Sequence, residues 1–295
     1  MGWRINRYNR RSSKKYGWDP KWFNHEEFDD TLEHRIREFQ KEHDLVVDGM
    51  VGPATHRRLE VWRESLKAAS PVKRNYQTTA GILVKGKLEP CKGLKIKQDL
   101  LKSKCYRRSF LRRKPNVIVT HWDVCTSAAS CKRVLEKRNI STHFVIDNDG
   151  TIYQLVDTNN IAWHAKGANN RSIGVDISTA YYIKYQEKYV KMGYPVRPVL
   201  KDSIVHGRKL NPHLGFTNNQ LESYELLLEH LSRIHDIPLD YPKNDDGSLC
   251  TTVYPDAVKG KFKGVINHYN LTRNKIDTAG LKLDKIIDRI KEKRS

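Results

Sequence analysis

The chain has 295 residues, 38% hydrophobic and 30% charged. That length suits two domains with packed cores and a heavily ionised surface. It carries 54 Lys+Arg against 34 Asp+Glu, a formal net charge of +20, which points to a polyanionic partner such as nucleic acid, an anionic membrane or an acidic wall polymer. No run of about 18 apolar residues occurs, so no transmembrane helix is expected. Five cysteines are too few for a disulfide scaffold.

The first seventeen residues are basic and lack the apolar stretch of a secretory signal, so export by that route is not expected. Leu32, Ile36 and Phe39 recur at helical spacing, and the turn-rich segment DGMVGPAT follows at 48–55. Thr55 then precedes a second helical run with Leu59 and Trp62. Residues 1–65 therefore read as a small all-α domain of three helices. Residues 66–115 hold fifteen Lys/Arg and two Asp/Glu. Within them, SPVKRNYQTTAG at 70–81 has linker composition, which places a basic linker at 66–81 and a second domain at 82–295. The basic stretch either binds an anionic wall polymer or lipopolysaccharide, or is a solvated face. No RNA-recognition, homeodomain or zinc-finger signature supports nucleic acid as the partner.

VIVT (117–120), HFVI (143–146), TIYQLV (151–156), IGVDI (173–177) and GVI (264–266) read as strands, rich in β-branched residues. Asn148-Asp149-Gly150 marks a hairpin. Leu221, Tyr224, Leu227, Leu228, Leu231 and Ile234 form an amphipathic helix with Thr217 as its N-cap. Leu281, Ile286, Ile287 and Ile290 form a closing helix. Strands interleaved with helices predict an α/β domain with a mixed central β-sheet flanked by helices. The segment 178–214, with five tyrosines, is long for a connection. It reads as an insertion flanking a groove, its rings stacking on sugars, or as a mobile loop.

Three side chains suited to metal binding fall at or beyond short strands: His121 after VIVT, His268 after GVIN, and Asp277 nine residues on, with Lys275 two before it. Two imidazoles and a carboxylate are a catalytic zinc set that leaves one position for water. By spacing alone, a strand-end histidine is more often a satisfied core group than a ligand.

Four segments in order, VIVTHWD, STHFVIDNDGTIYQLVD, AWHAKGANNRSIGVDI and INHYNLTRNKIDTAG, resemble the zinc-dependent N-acetylmuramoyl-L-alanine amidases (the amidase type 2, peptidoglycan-recognition-protein fold) over residues 115–282. LEHRIREFQKEHDLVVDGMVGPATHRRL (32–59) resembles the peptidoglycan-binding type 1 domain. Together they look like a modular phage endolysin. The resemblance implies Zn²⁺ held by His121, His268 and Asp277, with Lys275 beside the scissile carbonyl, where a cation stabilises an oxyanion. The family's general base is a tyrosine before the His-Phe pair or an acid in the IGV-x-I segment. Thr142 occupies the first position here and Asp176 the second, so Asp176 is expected to manage the proton, one methylene short of the usual Glu. Trp163, His164 and Asn169 are expected to line the substrate groove, and His143 to sit in the core or behind the site. A Cys125–Cys131 disulfide, seen at that spacing in eukaryotic recognition proteins, and two free thiols both remain open.

The expectation is a bacteriolytic, monomeric hydrolase acting on bacterial peptidoglycan at the amide between N-acetylmuramic acid and L-alanine. It would be made in a host cytoplasm and reach the wall through a holin pore or by lysis. The alternative is a non-catalytic peptidoglycan-recognition protein. Asp277 speaks against it, because such members lack the third ligand.

Overall fold

The computed structural model describes residues 2–66, 78–94 and 96–294. The chain divides into two compact units, Met1–Ser70 and Pro71–Ser295. Most of the linker expected at 66–81 lies outside the described residues, and its end, from residue 78, is already strand.

The first unit is helical: α1 (Gly2–Tyr16), α2 (Asp30–Glu42) and α3 (Pro53–Leu66), with a 3₁₀ turn at Pro20–Phe23. The Asp29 carboxylate caps α2 by accepting the Leu32 N–H at 2.9 Å, as an N-cap does. Leu32, Ile36 and Phe39 pack with Trp18, Phe23, Val51 and Leu59. The third helix begins two residues before Thr55, because Pro53 is preset for a first helical turn. Gln40 explains the Phe-Gln and Asp-Gly pairs of the motif. Fully buried, it donates to Asp48 Oδ1, Met50 O and Thr55 Oγ1 and accepts from the Asp48 and Gly49 N–H groups. Asn9 on α1 stitches the same turn, donating to Gly49 O and accepting from Val51 N, each at 2.9 Å.

The second unit is built on a seven-stranded mixed sheet. Its strands are β1 (Thr78–Thr79), β2 (Ile96–Gln98), β3 (Val117–Trp122), β4 (Phe144–Ile146), β5 (Ile152–Gln154), β6 (Ser172–Ile177) and β7 (Gly264–Asn267). Their spatial order is β1-β2-β5-β4-β6-β3-β7. The β4, β6, β3 and β7 strands run parallel to one another, while β4 and β5 form the antiparallel hairpin over Asp149-Gly150. Gly150 turns it at φ +84°. The other helices are α4 (Ala128–Arg138), α5 (Gln186–Lys191), α6 (Asn218–His235), α7 (Pro255–Val258) and α8 (Leu283–Glu292). Thr217 caps α6 in a reciprocal box with Gln220. Leu227, Leu228 and Leu231 of α6 and Ile286, Ile287 and Ile290 of α8 pack with Ile118, Ile173, Val175 and Val265 of the sheet. Alternation along each strand then sends the neighbouring residues to the opposite face. There Val117, Val119 and Ile266 meet Ala165, Ala168 and Ala257. His121, Gly174 and Asp176 share that parity.

Two of the five tyrosines of the 178–214 segment, Tyr181 and Tyr189, are buried, while Tyr182, Tyr185 and Tyr194 are part-exposed. Tyr189 is fully buried, its hydroxyl accepting the Ala180 N–H at 2.9 Å. Tyr181 stacks on His213 and tilts against Trp122. Arg197, 1% exposed, holds the segment to the sheet. It donates to Thr179 Oγ1 (2.6 Å), Gly215 O (2.7 Å), Ser178 O (3.0 Å) and Asn148 Oδ1, and its guanidinium lies over the Tyr189 ring. Removing it strands buried acceptors and opens a cavity. Arg197→Ala is therefore expected to cost at least about 3 kcal/mol in denaturant unfolding; a loss below about 0.5 kcal/mol, as for an ordinary surface change, would show that the anchor is not needed.

Candidate active site

Parallel strands carry their functional side chains to one edge, the carboxyl ends. The registers of β3, β6 and β7 make that edge here. Asp176 on β6 pairs with His121 on β3, and Asn267 on β7 pairs with Thr120, so His268 follows at the level of His121. Asp277 returns on the next loop, where its carbonyl accepts the Tyr269 N–H at 3.1 Å. The loop is closed by Thr278, whose hydroxyl donates to Asn267 Oδ1.

The sequence-predicted trio converges. His121 Nδ1 lies 3.0 Å from His268 Nδ1, and Asp277 Oδ2 lies 3.1 and 2.9 Å from these two nitrogens. All three residues are buried. Hydrogen bonds alone do not satisfy this triangle, because at least one edge joins two lone pairs or two N–H donors. Three donors at tetrahedral corners, about 2.0–2.1 Å from an ion, stand about 3.3 Å apart, so the donor set and its spacing fit a zinc-sized cation. Burial and the neighbouring His268 push the His121 pKa down to about 4, favouring the neutral ring a metal ligand must be. Burial alone would raise Asp277, yet His268 and His121 hold its carboxyl well below the usual range.

His164 stands behind the trio rather than free in a groove. Its Nδ1 lies 2.9 Å from His121 Nε2, and its Nε2 lies 3.1 Å from Ser172 Oγ. Burial and His121 depress its pKa. Gly174 makes room for this ring: a Cβ there would lie 2.8 Å from both His164 Nδ1 and Thr142 Oγ1. Asn169 is occupied with the local backbone, its Oδ1 accepting from the His164 and Ala165 N–H groups at 3.1 and 2.6 Å. Trp163 is 38% exposed, and His164 and Asn169 are part-exposed. His143 is buried and fixed on both nitrogens, Nδ1 accepting the Gly174 N–H and Nε2 facing Asn160 O.

Asp176 is buried, and its carboxyl is pushed well above the usual range by that burial and by Asp123 and Asp277, with Lys275 opposing. Its Oδ2 lies 3.9 Å from Cys131 Sγ. Lys275 is exposed, and its charge is a minor cause of the lowered His121 pKa. Sequence reading missed Asp123. Its carboxylate accepts from Cys125 N, Thr179 N and Ser178 Oγ at 2.9, 3.0 and 2.8 Å, clipping the end of β3 to the end of β6. Asp123, Cys125 and Cys131 also bring ligand-type atoms within 4.8 Å of one another, but the carboxylate is already engaged by these three donors. Cys125 and Cys131, like the other three cysteines, are buried and stand outside any disulfide.

Comparison with known proteins follows this geometry. The family described as N-acetylmuramoyl-L-alanine amidase matches residues 111–279, and that described as putative peptidoglycan binding domain matches residues 14–59. No curated protein matches. Among solved structures, the N-acetylmuramoyl-L-alanine amidase LysC from Clostridium intestinale URNW is 16% identical, with a TM-score of 0.41, covering 66% of this chain and 97% of its own. A mutant endolysin from Bacillus subtilis is 19% identical, with a TM-score of 0.39, covering 67% and 99%. The Staphylococcus aureus hydrolase AmiA in complex with its ligand is 17% identical, with a TM-score of 0.43, covering 68% and 84%. No helix among the described residues is long and apolar enough to cross a membrane. With the amidase match spanning more than half of the residues and including all of His121, His268 and Asp277, the chain belongs to the N-acetylmuramoyl-L-alanine amidase family.

Proposed function

We propose that this amidase is a zinc-dependent, endolysin-like peptidoglycan hydrolase that acts as a monomer. Its helical unit holds the wall, and its α/β unit cuts the amide between N-acetylmuramic acid and L-alanine. The observation that carries the reading is the buried triangle of two imidazole nitrogens and one carboxylate oxygen. Zinc bound there would supply a Lewis acid for the scissile carbonyl and acidify the attacking water. The basic balance of the chain suits a substrate whose stem peptides carry carboxylates.

The remaining chemistry belongs to the side chains. Lys275, exposed and two residues before Asp277, would supply a cation to the carbonyl oxygen as it gains charge. Asp176, on the strand adjacent to His121, has a raised proton affinity. Once ionised it is a stronger base than a surface carboxylate, able to take a proton from water and return it to the departing amide nitrogen. Trp163 offers an exposed ring at the mouth, and the proposed part of His164 and Asn169 in the groove is to shape it. Asn169 closes the turn. If His121 Nδ1 held zinc, its proton would sit on Nε2 and be donated to His164 Nδ1, and His164 would donate its own Nε2–H to Ser172 Oγ. His164 is thus a positioning residue, since ligand orientation is commonly fixed this way.

His121→Ala, His268→Ala and Asp277→Ala are expected to lower lysis of purified sacculi at least about 100-fold, with retained sedimentation of the protein on sacculi. The wild type should carry one zinc per chain by atomic absorption and lose lysis to a chelator. Full lysis by any of these variants would remove the site. Mass spectrometry of the digest should show free L-alanine amino termini on stem peptides; new reducing ends instead would mean glycan cleavage. A separate test addresses His164. His164→Ala and Gly174→Ala should weaken zinc binding about 10–100-fold in chelator competition, while His164→Asn, whose side-chain oxygen overlays Nδ1, should retain most of it. Unchanged affinity in His164→Ala and Gly174→Ala would assign the ring to the substrate instead.

A further inference from the structure

The loop that leads from Tyr106–Arg107 into β3 has a feature the hydrolase chemistry does not use. Phe110 is 90% and Leu111 80% exposed, the highest values among the described large hydrophobic side chains. Single exposed apolar residues need no explanation, but this adjacent pair is held out by a built support. Asn160 Oδ1 accepts the Ser109 N–H at 3.1 Å, and Asn159 Oδ1 accepts the Arg113 N–H at 2.8 Å. Asn159 Nδ2 donates to Ser109 O and Leu111 O at 3.1 and 3.2 Å. The Arg113 guanidinium donates to Asn160 O at 2.6 Å and to Ser172 O. Bonds on both sides of the tip hold its backbone in the conformation that exposes the two apolar side chains.

The loop's own charges have one sign, while Asp157 lies behind it in the supporting turn, accepting the Asn159 N–H and acting on Arg113. Arg108, Arg112 and Lys114 are exposed, and no Asp or Glu occurs between Asp99 and Asp123. An aromatic and a branched aliphatic side chain collared by cations match the two layers of an anionic bilayer surface, phosphate outside and hydrocarbon beneath. A saccharide site would instead present a concave ring face with hydrogen-bonding neighbours, and Leu111 offers no flat face for a sugar. We propose that the 108–114 loop docks the catalytic unit on an anionic phospholipid bilayer, with Phe110 and Leu111 entering the interface and Arg108, Arg112 and Lys114 against the headgroup phosphates. The support is continuous with the site: Arg113 holds the carbonyl of Ser172, whose hydroxyl meets His164. Docking here would keep the enzyme at the membrane face of the wall. The inference rests on the loop alone and stands whether or not the proposed zinc chemistry does.

The test is sedimentation of the full-length protein with phosphatidylcholine vesicles containing or lacking phosphatidylglycerol. Wild type should bind the phosphatidylglycerol vesicles, and much less the neutral ones. Phe110→Ser/Leu111→Ser, which leaves the net charge unchanged, should lower the partition about ten-fold. Arg108→Gln/Arg112→Gln should lower it at least as far at low salt and lose its effect at high salt. Melting temperature and hydrolysis of solubilised wall fragments should stay at wild-type values in both variants. Absence of binding by wild type would overturn the proposal. So would wild-type partition by Phe110→Ser/Leu111→Ser, which would assign the attraction to another basic region such as α1. Loss of fragment hydrolysis with vesicle binding intact would also overturn it, making the tip a substrate contact.

Discussion

Two imidazole nitrogens and a carboxylate oxygen stand about 3 Å apart in a buried place, and the rest of the catalytic unit makes that crowding tolerable. Left to themselves, such groups would turn to water, since burial without a satisfied partner is costly. They are held by frozen backbone. His121 sits within a strand paired on both sides. His268 follows a central-sheet strand directly, and Asp277 is tied back through Tyr269 and Thr278. Behind them His164 fixes one ring, and Gly174 leaves it the space. The proposed cation would turn this concentration of lone pairs from a cost into a gain.

Much of this was legible in the chain. The β-branched runs and the Asn-Asp-Gly turn gave the strands, and alternation along VIVTHW and SIGVDI puts His121 and Asp176 on one face. The family resemblance supplied the trio before its geometry was visible. What periodicity could not show was helix α1. Its inward face carries the buried polar residues Asn9 and Ser12, which leave no apolar stripe. Their signal is hydrogen bonding to a turn some forty residues away, and no local pattern encodes that.

The insertion shows the same limit. Its five tyrosines look alike in the chain, and only the structure separates Tyr181 and Tyr189, which are buried, from the three part-exposed rings, with Arg197 holding the segment through buried hydrogen bonds. Asp123 escaped notice because its work is to join the ends of two strands distant in sequence. His164 stood in a recognisable motif, yet its partner, the far nitrogen of His121, appears only in three dimensions. Sequence thus showed which residues matter more readily than what each one touches.

Charge links the molecule to its setting. The surplus of cations is a property of the whole chain, a long-range attraction toward anionic material that binding sites then make specific. The central claim concerns one ion, and zinc K-edge absorption spectroscopy on the purified protein tests it most directly. The account predicts two nitrogen donors and one protein oxygen donor near 2.0–2.1 Å, with a fourth light-atom position from solvent. A shell containing sulfur, or zinc that stays when the trio is replaced, would contradict it.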